Sequence, residues 1–503
     1  MHDKTVLWQG LQAMARPSLC PWDDYYPRMA QSDFLLGRQN FEASKTYFIR
    51  KAPFDGAYAL LGGITEFLRQ LYTYEFTPEV AEILREQGYK KEFIDYLLQR
   101  KGLFSIKVYA PPEGSIFLAS EPAVVLEGGL VDVRLAEGML LNCVNYPSLS
   151  MTKWSRVVHA TDVGSVLEFA RRRAQDEART TLYAHLGGAS TTSNSEIRAW
   201  FTIPTVGTMG HEWIQSFGDE IESFDKWLEL NPDRPVLLVD TVDTLSSGVP
   251  NAITAFKKHR EAIRAAGGKM GVRLDSGDLA YIAMKSRRML DAAGLEEAKI
   301  FMTNDLDEYS IQAIRGQIEE YANRAFAKPQ EILQSLVWAC GTKPGTCWDQ
   351  PSIGGVAKLS TVRRGVLERP AIKLARDNPV KTSIPGKNAS VYLLDEEGIL
   401  QGCLIHGFKE DPGDIWEFVH PDDANKRTEI PRSWRKVRRN TLVDVASFKA
   451  ARLDDVRSHV QAELKMLHWT SRRIEKPHTV KVGLSPKLFE LRQDMIKNRS
   501  LIG

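Results

Sequence analysis

The sequence predicts an α/β protein: an irregular or incomplete β/α barrel with an additional α+β, β-rich domain formed from its N- and C-terminal segments. Three observations predict it. Between residues 146 and 354, near-continuous apolar strands alternate with amphipathic helices, the pattern of a parallel sheet covered by helices. The stretches on either side, 1–145 and 355–503, carry short β runs separated by Pro and Gly turns, and the second is expected to pack with the first. No GxGxxG turn follows the first strand of the alternating section, which argues against a dinucleotide-binding open sheet and for a barrel.

In chain order, Trp22-Asp-Asp-Tyr25-Tyr26 lies among Pro17, Pro21 and Pro27 and reads as a terminal arm packed by aromatics, with a helix from Met29. Tyr47–Arg50 reads as a strand, Tyr58–Leu71 as a helix, and Thr77-Pro78-Glu79 as a helix start with a cap, a proline at the first position and early acid. Phe104–Tyr109, Ser115–Leu118 and Ala123–Leu126 are strands of an antiparallel unit, and residues 137–161 form one long helix. Five strands follow: Ser165–Phe169, Pro235–Asp240, Lys269–Leu274, Lys299–Thr303 and Leu336–Ala339, with helices at Asn251–Ala266 and Asp278–Ala293 and another after Thr303. Beyond them Gly355–Leu359, Ala371–Leu374, Ser390–Leu394 and Gly402–Ile405 are strands, and the final hundred residues are charged and partly helical.

Composition narrows the function. The chain of 503 residues exceeds one ordinary core, and 43% hydrophobic with 26% charged residues excludes a disordered or fibrous protein. A formal charge of +2 gives no global attraction for nucleic acid or a membrane, and the basic cluster Arg432, Arg435, Lys436, Arg438 and Arg439 reads as a solvated face. Five scattered cysteines without a CxxC pair suggest neither disulfides nor a zinc module, and they fit a reducing, cytoplasmic setting. No signal peptide or apolar span of membrane length is present in the sequence.

In a β/α barrel the reactive groups stand at the C-terminal ends of the strands. Those ends carry Arg171-Arg172-Arg173, Asp240 with Asp243, Asp275-Ser276-Gly277-Asp278, Asn304-Asp305 and Gly341-Thr342. Ser276-Gly277-Asp278 opens a helix whose free N–H groups suit a phosphate, and Gly341-Thr342 offers the same, although both are also common helix starts and turns. Three adjacent arginines call for a polyanion, unless they pair with Glu168, Asp176 and Glu177. Asp240, Asp275 and Asp305 could hold Mg²⁺ through water and substrate phosphates. His211, three residues after Thr208, is on its own an ordinary helix-start histidine. Together these point to an enzyme acting on a phosphorylated small molecule.

The residues that go further are collinear motifs. They are Trp22-Asp-Asp-Tyr25, Arg50-Lys-Ala-Pro-Phe-Asp-Gly-Ala-Tyr58, Glu168-Phe-Ala-Arg-Arg-Arg-Ala174, Thr192-Ser193-Asn194 and Gly207-Thr208-Met-Gly-His211, and then Val239-Asp240-Thr-Val-Asp-Thr244, Arg273-Leu-Asp-Ser-Gly-Asp-Leu279, Thr303-Asn-Asp-Leu-Asp307, Gly341-Thr342 and Ile384-Pro-Gly386. With these the chain resembles the nicotinate phosphoribosyltransferase family over almost its full length. The resemblance implies a ligase of NAD biosynthesis that makes nicotinate mononucleotide from nicotinate and phosphoribosyl pyrophosphate, with ATP as co-substrate and Mg²⁺, as a cytoplasmic homodimer. It implies that His211, Arg172 and Arg273 are catalytic, His211 being transiently phosphorylated. Arg172 and Arg173 would hold pyrophosphate, and Ser276, Gly277, Gly341 and Thr342 the ribose 5-phosphate. Tyr25 would stack on the pyridine ring and Thr208 with Arg273 would face nicotinate, while Ser193, Asn194, Asp275 and Asp278 complete the substrate site. Metal ligands stay unassigned. The chain departs from the family pattern at Asp55 and Ala170, where glycine is expected, at Gly210 for alanine, and at Trp22 and Thr303 for threonine and serine. A nicotinamide or quinolinate phosphoribosyltransferase and an inactive nucleotide-binding homologue are the alternatives.

Overall fold

The computed structural model describes residues 2–15, 19–103, 105–324, 328–375, 377–378 and 381–502, so Pro17 and Phe104 lie outside the described residues. The chain divides into two units, Met1–Thr152 with Ser352–Gly503, and Lys153–Pro351.

The first unit joins the two ends of the sequence in one sheet. Its antiparallel order is Leu367–Pro370, Val356–Arg364, Glu42–Phe48, Val124–Gly129, Lys107–Ala110 and Thr441–Leu442. A second six-stranded sheet runs Asp423–Glu429, Glu417–His420, Lys481–Leu484, Leu400–Gly407, Asn388–Leu394 and Arg435–Arg438. The predicted helix at Tyr58–Leu71 is corrected: Ala59–Leu60 is a strand paired with Ile116–Phe117, and the helix is Ile64–Thr73. The break between them is steric. The long helix Leu130–Thr161, which begins before the predicted residue 137, contains Pro147, whose missing N–H leaves no regular helical bond to Cys143 O. Gly63, at φ +84°, crosses there, and a Cβ on it would come 1.9 Å from Cys143 O.

Two further expectations are corrected in this unit. Ala371–Leu374 is not a strand, because the Ser383 hydroxyl accepts Lys373 N–H at 2.9 Å and Ala371 makes an isolated bridge with Ile502; the strand is Leu367–Pro370. The strand predicted at Tyr47–Arg50 runs earlier, over Glu42–Phe48. The basic cluster is partly internal. Lys436 Nζ donates to Pro412 O, Gly413 O and Ile415 O, and the buried Arg439 pairs with Glu463 at 2.5 Å. Arg435 and Arg438 remain exposed.

In the second unit the sheet is all-parallel and curled into a half-barrel, in the order Thr191–Thr192, Ser165–Glu168, Leu336–Cys340, Lys299–Met302, Gly271–Leu274 and Val236–Leu238. Thr191–Thr192 was not predicted, since two polar residues carry no period-2 pattern. The apolar strands form because both faces are covered: Leu237, Leu238, Val272, Leu274, Ile300 and Met302 are all fully buried. Helix Leu279–Ala292 is started by Asp278, whose carboxylate accepts Tyr281 N–H at 3.1 Å. Helix Val249–Ala265 follows a wide turn at Thr244–Gly248 that Asp243 caps. Asp243, expected beside Asp240 as a strand-end acid, is spent there: the hydroxyl and N–H of Ser246 hold its carboxyl below the ordinary value.

The register sets the rim. Leu238 and Phe301 flank Arg273, and Met302 lies beside Leu274, so Asp240, Asp275 and Thr303 leave neighbouring strands at one level. Behind the rim, helix Glu308–Arg324 is tied to the long helix by buried charges. Lys153 Nζ lies 2.8 Å from Glu308 and 2.9 Å from Asp349, and Arg156 Nε lies 3.0 Å from Glu308.

Candidate active site

Arg273, the last residue but one of its strand, is held on three sides. Its Nη1 donates to Thr208 Oγ1 at 3.0 Å, Nη2 to Asp275 Oδ2 at 3.1 Å, and Nε to Thr303 Oγ1 at 3.4 Å. A guanidinium has five N–H groups, so two remain, one on each terminal nitrogen. That pair matches a carboxylate in spacing and charge.

His211 opens helix His211–Phe217 beside this group. Nδ1 is 3.0 Å from Thr241 Oγ1, while Nε2 lies 3.9 Å from Asp240 Oδ1 and 3.8 Å from Asp275 Oδ2. Its side chain is 40% exposed, so a ring nitrogen flanked by two carboxylates opens toward solvent. Trp213 anchors the helix, its Nε1 donating to Ser223 O at 3.0 Å and its ring meeting Trp227 edge-on. Asp240 Oδ2 accepts the Asp275 N–H at 3.2 Å and the Ser276 hydroxyl at 2.7 Å. Its other oxygen, Oδ1, is buried without a hydrogen-bond partner among the described residues.

The turn that follows is exposed at Ser276, Gly277 and Asp278. Gly277 has φ +80°, and a Cβ there would strike Ile282 at 2.7 Å, so the turn needs glycine twice over. Asn304 and Asp305 leave the next strand in the left-handed region, at φ 91° and 48°, conformations Asn and Asp tolerate best among non-glycine residues. Gly341 stands against Phe169 O, where a Cβ would approach to 3.1 Å, and precedes the short helix Thr342–Thr346. Lys343 of that helix pairs with Asp307 at 3.1 Å. Burial opposes ionisation of Asp307, but the Ser310 N–H and hydroxyl and Lys343 outweigh it and hold the carboxyl below its ordinary value.

The arginine run divides. Arg171 is fixed by Asn194 Oδ1 at 3.0 Å and Glu196 at 3.0 Å, whereas Arg172 and Arg173 are exposed and make no ion pair among the described residues. The pairing considered for them with Glu168 and Asp176 does not form. Glu168 is buried and takes the Ala170 N–H and the hydroxyls of Thr181 and Thr192, burial pushing its carboxyl above the ordinary value, and Asp176 pairs with Arg179. Asn194 is fully buried, its amide spent on Arg171, Glu196 N–H, Thr181 and Glu177 O, so it supports the rim. Ser193 is half-buried, its N–H bonded to Glu168 O. Tyr25 belongs to the other unit, on helix Tyr25–Leu35, 54% exposed with its ring 4.1 Å from Tyr26.

Two hydroxyls were not singled out as site residues by sequence: Thr241 against His211, and Thr303 against Arg273 and Asp275. Both lie inside quoted motifs, but nothing in spacing or charge distinguishes a threonine that touches a functional ring from one that ends a strand. Two departures from the family pattern have visible settings. Asp55 adopts φ 47°, a conformation suited to glycine, and Ala170 packs where a Cβ on Gly345 would come within 2.2 Å of its own.

A parallel α/β sheet whose strand ends carry a histidine-led helix, exposed arginines and a carboxylate pair belongs to the class of α/β proteins that take an anionic ligand beyond the carboxyl edge of the sheet. Comparison narrows the class. Residues 22–145 match the nicotinate phosphoribosyltransferase N-terminal domain model, and residues 393–492 the C-terminal domain model. Nicotinate phosphoribosyltransferase of Bacillus subtilis (strain 168) is 32% identical over 475 residues, covering 92% of each chain. The crystal structure of human nicotinic acid phosphoribosyltransferase superposes with a TM-score of 0.74 at 24% identity, over 94% of this chain and 99% of that one. Nicotinate-nucleotide pyrophosphorylase from Pyrococcus furiosus shares the fold at a TM-score of 0.60 and 16% identity, over 91% of this chain and 96% of that one. The chain belongs to the nicotinate phosphoribosyltransferase family. Among the described residues no helix is long and apolar enough to cross a membrane.

Proposed function

We propose that the protein is a nicotinate phosphoribosyltransferase of NAD biosynthesis, joining nicotinate to phosphoribosyl pyrophosphate with release of pyrophosphate and coupled hydrolysis of ATP through a phosphohistidine at His211. The observation that carries the reading is the pair of free Arg273 donors beside His211, within a family whose curated members bear this activity in their names. In this reading the Arg273 pair and Thr208 take the nicotinate carboxylate and orient the ring nitrogen toward the anomeric carbon of the ribose. Arg172 and Arg173, exposed and without an ion pair among the described residues, stabilise the charge growing on departing pyrophosphate. The 276–278 and 341–342 turns receive the 5-phosphate. His211 accepts the γ-phosphoryl group of ATP, its Nδ1 side braced by Thr241.

The residues present fit Mg²⁺. Asp240 offers a buried oxygen without a hydrogen-bond partner among the described residues, a donor that suits an ion held largely by water and phosphate. Bound there, the ion would neutralise phosphate charge. A cytoplasmic homodimer belongs to the same reading.

Assay of the purified chain with nicotinate, nicotinamide and quinolinate tests it. Nicotinate is expected to be turned over fastest, and equal or greater turnover of nicotinamide overturns the reading. His211→Ala is expected to lose stimulation by ATP while a slow ATP-independent rate remains. Full stimulation of that variant removes His211 from the mechanism.

A further inference from the structure

We propose that Thr303 is a positioning residue that sets the pyridine specificity of the site by locking the free edge of Arg273, an inference that rests on Arg273 taking the nicotinate carboxylate. Thr303 ends strand Lys299–Met302, is 3% exposed, and donates its backbone N–H to Leu274 O at 2.9 Å, so its place on the rim is fixed by the sheet. Its Oγ1 lies 2.5 Å from Asp275 Oδ1, 2.8 Å from Leu274 O and 3.4 Å from Arg273 Nε.

A hydroxyl has one proton for these neighbours. Leu274 O already accepts the Thr303 N–H, and the carboxylate is the closer and charged acceptor, so the proton goes to Asp275. A lone pair then faces Arg273 Nε. Because Asp275 Oδ2 accepts from Arg273 Nη2, the three residues close a ring, from Arg273 to Thr303 to Asp275 and back.

That ring, with Thr208 on Nη1, settles which guanidinium edge is left over. Arginine on an unbraced stem samples many rotamers, and bidentate recognition needs both donors in one plane facing the ligand. Without the hydroxyl, Asp275 Oδ1 loses its donor and Nε its acceptor, and the nearest remedy is for the carboxylate to take both Nε and Nη2. The guanidinium then turns and the free pair leaves the position facing the ligand. A carboxylate ligand suffers most from this change, because its two oxygens use both donors; a carboxamide has one acceptor oxygen and depends on the pair less.

The test is Thr303→Val, which keeps the side-chain volume and deletes the hydroxyl, beside Thr303→Ser, which keeps the hydroxyl, and Thr303→Ala as a second deletion should valine fail to fold. In the full-length protein, kcat/KM for nicotinate is expected to fall about 10- to 100-fold in the deletion variants, mostly through KM. The nicotinate-to-nicotinamide ratio should fall with it, the KM for phosphoribosyl pyrophosphate should stay within about twofold, and serine should restore wild-type behaviour. An unchanged ratio overturns the proposal, and so does an equal loss for both pyridines or a parallel rise in the phosphoribosyl pyrophosphate KM, either of which marks a merely structural residue. If the wild-type protein does not use nicotinate, the reading of the site fails before any variant is compared, and this inference fails with it.

Discussion

Replacing Arg273 by alanine is expected to lower kcat/KM for nicotinate by about 10²- to 10³-fold, the cost of leaving a bound carboxylate without its charge-assisted fork. Lysine at the same position restores the charge but not the planar pair, and should recover only part of that loss. The two variants separate charge from geometry. Steady-state kinetics with nicotinate and nicotinamide read the difference: the alanine variant should lose preference for the acid over the amide, and a variant that retains the wild-type preference shows that the carboxylate is recognised elsewhere. The loss has a second part within the protein. Asp275 accepts from Arg273 at 3.1 Å and lies 3.8 Å from His211 Nε2, so removal of the arginine leaves the carboxylate with Thr303 and a closer electrostatic claim on the histidine.

Replacing Glu308 by alanine is expected to destabilise the Lys153–Pro351 unit by about 3–5 kcal/mol, the range for breaking a buried ion pair by removing one partner. Glu308 and Lys153 are both fully buried in their side chains, and Arg156 is 3% exposed. Truncation therefore removes a buried anion from beside two interior cations, of which Lys153 keeps its pairing with Asp349. Urea unfolding of the full chain followed by tryptophan fluorescence should show the transition of this unit at a clearly lower midpoint. A midpoint within the error of the wild type would mean that the cations reach water or other anions at little cost. The consequence extends to the rim, because Asp307, next to Glu308, holds Lys343 beside the Gly341-Thr342 turn.

The elements that the sequence announced clearly are those whose burial has a period. Five of the six parallel strands of the central unit are short, mainly apolar runs, and the predicted helices, of which Leu279–Ala292 has a carboxylate-capped start, follow the same logic. Thr191–Thr192 escaped notice because it is polar and two residues long. The Ala371–Leu374 run was misjudged for the opposite reason: it looks like a strand, but the Ser383 hydroxyl accepts the Lys373 N–H, and the Thr382 hydroxyl that of Ala375 just beyond it. The strands of the last hundred residues were hidden by charge, since Asp423–Glu429 and Arg435–Arg438 are largely solvent-facing.

The candidate site divides along the same line. Residues that stand at strand ends, Asp240, Arg273, Asp275, Ser276, Gly341 and Thr342, could be grouped by assuming one rim for all strands, and the register places the first four together. The partner of each group could not. Arg171 binds Asn194 and Glu196, whereas Arg172 and Arg173 make no ion pair among the described residues, and no spacing rule separates three consecutive arginines in that way.

The sequence by itself determined the fold class, the family and the strand ends at which charge collects, because periodic burial, turn chemistry and collinear motifs are local properties of the chain. The tertiary structure decided which hydroxyl braces which functional group. It set Thr241 against His211 and Thr303 between Arg273 and Asp275. It also paired Glu42–Phe48 with Val356–Arg364 across more than three hundred residues. The reason is physical: a hydrogen bond of 3 Å depends on where the backbone of a distant segment comes to rest, and that position is set by the packing of whole elements.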